Sequence, residues 1–184
     1  MSVSQSRKVA VRAFATEVAD ATEQYKESDD ERAPNLALLP TDVEANRIFA
    51  VGVITDAEDV GSDSEYYHAK VADPTGMFHL YSGQYQPQPT SVIREIESPE
   101  YVAFTGKVSR YELEDADEAY NVTIRPEFLT VADSDRRDRW LVETAEATLD
   151  RLDDFDASGV AAEVYGEDVS EYRDGVHKVL NETL

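Results

Sequence analysis

The chain has 184 residues, with 39 Asp and Glu against 17 Lys and Arg, for a formal net charge of −22. This length suits one domain with extensions, or at most two small ones, and the lack of Cys excludes disulfides, thiol catalysis and every Cys-containing zinc site. No apolar run approaches the ~20 residues that span a bilayer, and Met1-Ser-Val-Ser-Gln-Ser-Arg7 leads into no signal-type apolar core, so the chain is expected to be soluble and cytoplasmic.

From Val9 to Tyr25, Val11, Phe14, Ala15, Val18, Thr22 and Tyr25 recur at helical spacing without Gly or Pro, which predicts an amphipathic N-terminal helix. The charged stretch from Glu27 to Pro34 reads as a solvated linker. The character then changes. Ile48-Phe-Ala-Val-Gly-Val-Ile54 is a β-branched run interrupted by a Gly of the kind that marks a bulge or sharp bend. After the turn cluster Glu58 to Ser64, the segment Tyr66 to Ala72 alternates, with Tyr67, Ala69 and Val71 on one side and Tyr66, His68 and Lys70 on the other. Asp73-Pro-Thr-Gly76 is a tight turn into Met77 to Tyr81, where Phe78 and Leu80 take the core side, completing a hairpin.

Thr90 to Glu97 is long enough for a short helix with Val92, Ile93 and Ile96 turned inward. Two more strands follow, Tyr101 to Tyr111 and Tyr120 to Pro126, separated by a polar, acidic loop from Glu112 to Ala119. Three strands, a short helix and two strands in this order predict a mainly β fold with flanking α-helices, a five-stranded oligonucleotide-binding (OB) barrel with the helix between strands three and four. The competing all-β reading is an SH3-like or open-sandwich module, which would lack the helix. Beyond the barrel, Asp133 opens a helix carrying Leu141, Ala145, Thr148, Leu149 and Leu152 at helical spacing. Asp153 to Gly159 reads as a linker, and Asp168 to Leu180 as another amphipathic helix. The organisation is therefore residues 1–33 helix and linker, 34–133 barrel, 134–152 a C-terminal helix, and 153–184 linker and tail helix.

So acidic a chain would ordinarily repel a phosphate backbone. Yet acidic residues scattered throughout, only five Lys among the 17 cations and enough apolar residues for a core also resemble proteins of salt-accumulating halophiles. In molar salt the screening length falls to about 3 Å, so the charge total argues only weakly against a nucleic-acid partner.

The stretch Asn46 to Ile54, the turn Asp73 to Gly76, the segment Tyr101-Val-Ala-Phe-Thr-Gly-Lys-Val108 and the helix after the barrel resemble the replication protein A family. Leu38-Leu-Pro-Thr41 and Asn46-Arg47 behind an N-terminal helix are similar to the haloarchaeal replication protein A-associated proteins, which are related to the single-barrel middle subunit of the eukaryotic complex. The resemblance spans about residues 7 to 152. It implies a non-enzymatic accessory subunit in DNA replication and repair, working beside a replication protein A large subunit or another multi-barrel single-strand-binding protein. It also implies assembly through the helix after the barrel, here Arg136 to Leu152, with Trp140, Leu141, Ala145, Thr148, Leu149 and Leu152 facing the partner. The competing use of that stripe is to pack on its own barrel.

Single-stranded DNA would cross the face of strands two and three, where aromatic rings offer sequence-tolerant stacking. The alternation puts Tyr66, His68, Lys70, His79 and Tyr81 there, with Tyr85 beyond and Lys107 and Arg110 on strand four. Five acidic residues between Glu112 and Glu118 predict weak affinity for the isolated chain. No Gly-x-Ser-x-Gly, Walker loop or His-Glu-x-x-His occurs, so no catalytic residue, cofactor or metal is expected, His68, His79 and His177 included. The rival function is an RNA- or tRNA-binding OB module.

Overall fold

The computed structural model describes residues 8–112 and 120–183. The chain opens with β1 (Val11–Arg12), α1 (Ala15–Asp20), β2 (Gln24–Lys26), β3 (Asn35–Leu39) and β4 (Val43–Ala45). The barrel strands follow as β5 (Arg47–Asp59), β6 (Tyr66–Asp73), β7 (Gly76–Gly83), β8 (Glu100–Glu112) and β9 (Tyr120–Val131), with α2 (Pro87–Glu95) between β7 and β8. Three helices complete the chain, α3 (Ser134–Asp153), α4 (Val160–Tyr165) and α5 (Ser170–Thr183).

β5 pairs antiparallel with both β6 and β8, β6 with β7 and β8 with β9, and β7 meets β9 in parallel through Leu80 and Ile124. These pairings close the sheet into a five-stranded barrel with flanking helices, the expected OB architecture. Ala69, Val71, Phe78 and Leu80 are buried as the alternation predicts, and Phe78 meets Phe104 edge to face with ring centroids 5.5 Å apart. Gly52 does not mark the bulge, which falls between Ile54 and Asp56. Its role is close approach: a Cβ at Gly52 would stand 2.5 Å from the carbonyl oxygen of Ala72.

The N-terminal helix is shorter than its spacing predicts. Phe14, Ala15, Val18 and Ala21 are buried, but Val11 and Arg12 pair with Ile48 and Phe49 of β5, and Gln24 to Lys26 pair with β3. Strand pairing thus takes both ends of the periodic segment from the helix. The partner strand, Asn35–Leu39, is a further departure from the sequence reading, since it follows directly on the charged linker. What remains of the helix is held by the turn after β6: Asp73 Oδ2 accepts from the Ala15 N–H at 2.7 Å, and the Thr16 hydroxyl donates to the Thr75 carbonyl at 2.7 Å.

Asp133 caps α3 as expected, accepting from the Arg136 N–H at 2.8 Å. The stripe of that helix expected to face a partner lies against its own chain. Trp140 is 1% exposed, donates from Nε1 to the Phe49 carbonyl at 3.0 Å and meets Phe14 edge to face. Leu141, Ala145, Thr148 and Leu152 are buried, and Leu149 packs half-buried against the same core. Residues 153–183 fold back too: Val176 and Val179 join the core, and the Tyr165 hydroxyl, on a helix that carries no clear sequence signal, donates to the Leu38 carbonyl at 2.7 Å. No helix among the described residues is long and apolar enough to cross a membrane.

Candidate nucleic-acid interface

The β6–β7 register fixes the outer face of the hairpin. His68 lies opposite Tyr81 and Lys70 opposite His79, so four rings interleave across two strands. Their centroids are spaced 5.7 Å from Tyr66 to Tyr81, 4.6 Å from Tyr81 to His68 and 5.2 Å from His68 to His79. Tyr81 and His68 are nearly parallel, at 3°. The rings thus form a zigzag stack on the barrel surface, with Tyr66 at one end and His79 and Lys70 at the other.

His68 Nε2 and His79 Nδ1 are 2.9 Å apart. One nitrogen must accept, so this bond requires at least one neutral ring. Partial burial lowers both titration points below the ordinary His range. Lys70 adds to the effect at His68, and His68 followed by Lys70 adds to it at His79. The pair therefore presents flat, neutral rings at neutral pH.

At its Tyr66 end the stack borders an open recess of about 400 Å³, lined by Tyr66, Tyr81 and Tyr85 together with Gln86, Ser109 and Arg125. Tyr66 is 44% exposed and Tyr85 83%. Gly83 makes the geometry of Tyr66 available: a Cβ at position 83 would come within 2.8 Å of the Tyr66 ring. Arg125 is exposed on β9, immediately after the Ile124 that pairs with Leu80, and makes no ion pair among the described residues. Three aromatic rings beside a guanidinium match what stacking and phosphate contact require of a single-strand site.

Of the eight residues expected to meet nucleic acid, Tyr66, Tyr81 and Tyr85 share the recess, and His68, His79 and Lys70 continue the face. Lys107 and Arg110 stand apart from it, along a neighbouring groove that also borders Arg125. Arg125 and Gln86 join the site without having been expected there. The alternation that puts Val122 and Ile124 inward assigns Arg125 to the outer face, so the sequence does carry a signal for it. The acidic loop expected between the last two barrel strands lies, from residue 113 to 119, outside the described residues.

No family model matches the chain, and no curated protein sequence does. Among solved structures it is similar to a chain of a replication protein A heterotrimer bound to ssDNA, with TM-score 0.54 and 13% identity over 78% of this chain and 98% of that one. It is also similar to the second single-stranded DNA binding protein, SSBb, of Mycobacterium smegmatis, with TM-score 0.41 and 18% identity over 50% of this chain and 89% of that one. A third is an OBody bound to hen egg-white lysozyme, with TM-score 0.38 and 18% identity over 47% of this chain and 80% of that one. The first likeness reaches beyond the barrel strands, and with the closed topology it places the chain in the OB fold.

Proposed function

We propose that the chain binds single-stranded DNA as an accessory, non-enzymatic subunit of a replication protein A-type assembly acting in replication and repair. The observation that carries this reading is the recess of three tyrosines and Arg125 at the end of the ring stack. A base entering it extends a stack already four rings long, and every base has a π face to offer, so binding is sequence-tolerant. The likeness to a chain of a replication protein A heterotrimer bound to ssDNA, over 78% of this chain, supports the same assignment.

Neutral stacking suits an acidic protein, because it does not depend on long-range attraction. Partner contact falls to surfaces the core leaves open, among them Phe128 and Val131 on β9 and Val142 on α3. The apolar stripe of α3 is already occupied within the chain.

The test is a fluorescence anisotropy titration of labelled oligo-dT in molar KCl, paired with purification of the native protein at high salt. Tyr85→Ala removes an exposed ring without touching the core, so affinity should fall about 5- to 150-fold, the equivalent of one stacked base, at unchanged thermal stability. Co-purification of a multi-barrel single-strand-binding protein is the result expected for a subunit. Unchanged oligo-dT affinity in Tyr85→Ala would remove the recess from the account, and recovery of tRNA or ribosomal RNA instead would favour an RNA-binding module.

A further inference from the structure

A second concavity, of about 710 Å³, runs beside the recess between the barrel and the N-terminal segment. Its barrel wall carries Lys107, Arg110 and Arg125, and the opposite wall carries Lys26 and Arg32. Lys8 and Arg47 line it too, so seven of the chain's 17 Lys and Arg border one groove. No Asp or Glu does so among the described residues, in a chain with 39 of them. Lys8 and Arg47 are paired with Glu27 and Glu127, both outside the lining. Lys107, Arg125 and Arg32 have no carboxylate within salt-bridge distance among the described residues.

The groove has a fixed shape. Asn35 Nδ2 donates to Gln24 Oε1 at 2.9 Å and to the Val108 carbonyl at 3.4 Å, tying β3 to β2 and to the barrel. Asn46 Nδ2 donates to the Asn35 carbonyl at 2.8 Å. The loop that carries Arg32 is closed at its base by the Glu27 N–H donating to the Pro34 carbonyl at 3.0 Å. Of the wall cations, Lys26 Nζ donates to the Glu31 carbonyl at 3.1 Å and Arg110 donates to the Thr22 carbonyl, which fixes where these two charges stand. Arg125 and Ser109 line both this groove and the tyrosine recess, so the two form one continuous surface.

We propose that the groove holds the phosphodiester backbone of the same strand whose bases stack in the recess, with the N-terminal segment supplying one wall. The inference rests on the single-strand reading above and adds the path the strand follows away from the stack. A lining without Asp or Glu among the described residues, carrying Lys107, Arg125 and Arg32 outside salt-bridge distance of any described carboxylate, suits a polyanion.

The experiment uses the full chain and labelled oligo-dT of two lengths, about 6 nucleotides and about 30, the first near the lower end of the span of one barrel. Lys26→Glu with Arg32→Glu reverses two exposed charges, one at the end of β2 and one on the loop that follows it, and Lys26→Gln with Arg32→Gln neutralises them should reversal disturb that segment. With the long strand, affinity should fall on the order of tenfold at modest salt for the reversal, and the slope of log affinity against log salt should shrink by about 0.7 for each phosphate that is no longer neutralised. Short-strand binding should be unchanged. A long-strand slope identical to wild type in both variants overturns the groove and leaves the recess standing. Failure of wild type to bind the short strand, with groove-dependent binding of the long one, overturns the recess and leaves the groove standing; failure to bind either overturns both. Oligo-U of the same lengths separates the two sources of such a backbone: tighter dT assigns DNA, and tighter U assigns RNA to the same groove.

Discussion

His68 and His79 show how two side chains of ordinary chemistry become specialised by position. Facing each other across a hairpin at 2.9 Å, they share a hydrogen bond that protonating both rings would destroy. Partial burial, Lys70 and, for His79, the neighbouring His68 hold both below the usual value of 6.5, against the opposing pull of Asp56 and Glu58 on His68. The unfolded chain therefore takes up protons first as pH falls through about 6.5, so this pair's contribution to stability is present above that value and is lost as pH drops toward the folded titration points. His68→Gln combined with His79→Gln should flatten the fall in thermal midpoint between pH 7 and about 5.5 relative to wild type. An identical fall in both proteins would show that the pair is not coupled as the geometry requires. At this scale the sequence is most legible, because strand alternation depends only on residue order: it assigns Tyr66, His68 and Lys70 to one face and Ala69 and Val71 to the other, as they stand.

Elements are legible as units and less so in what they touch. The helical stripe on α3 is visible, but nothing in a sequence period says whether a stripe meets another protein or its own barrel, and Trp140 and Leu141 meet the barrel. The strand Asn35–Leu39 shows the opposite failure, an apolar run too short to outweigh the charged stretch before it. A polar hub then locks these elements together. Arg151 on α3 donates to Glu17 Oε1 on α1 at 2.8 Å, to Thr41 Oγ1 at 2.9 Å and to the Arg12 carbonyl at 3.2 Å. Glu17 is 2% exposed, and its burial raises its titration point against the pull of Arg151. Arg151→Met strands that carboxylate in the core and should cost about 3–5 kcal/mol by denaturant unfolding, the usual penalty for removing one partner of a buried pair. A loss within about 0.5 kcal/mol, as at an unconstrained surface site, would show that the hub does not hold the helices.

Over the whole molecule, the net charge of −22 conceals its most informative feature, which is local. Seven cations drawn from residues 8 to 125 meet in one groove, an arrangement invisible along the chain because folding alone brings Lys26 and Arg32 opposite Lys107 and Arg110. The barrel's strand order is readable from turn and alternation signals, while the groove depends on where the N-terminal segment docks, which turns on tertiary pairings such as Val11 with Ile48 and Ala37 with Ala45. The proposed function has a single strand entering at the tyrosine recess, at one end of a stack of rings. The most direct measurement is photocrosslinking of the full chain to oligo-dT carrying 5-iododeoxyuridine, followed by mass spectrometric mapping of the crosslinked residues. Crosslinks are expected on Tyr66, Tyr81 or Tyr85, which line the recess. Crosslinks confined to α3, α4 and α5, with these tyrosines unmodified, would contradict the proposal.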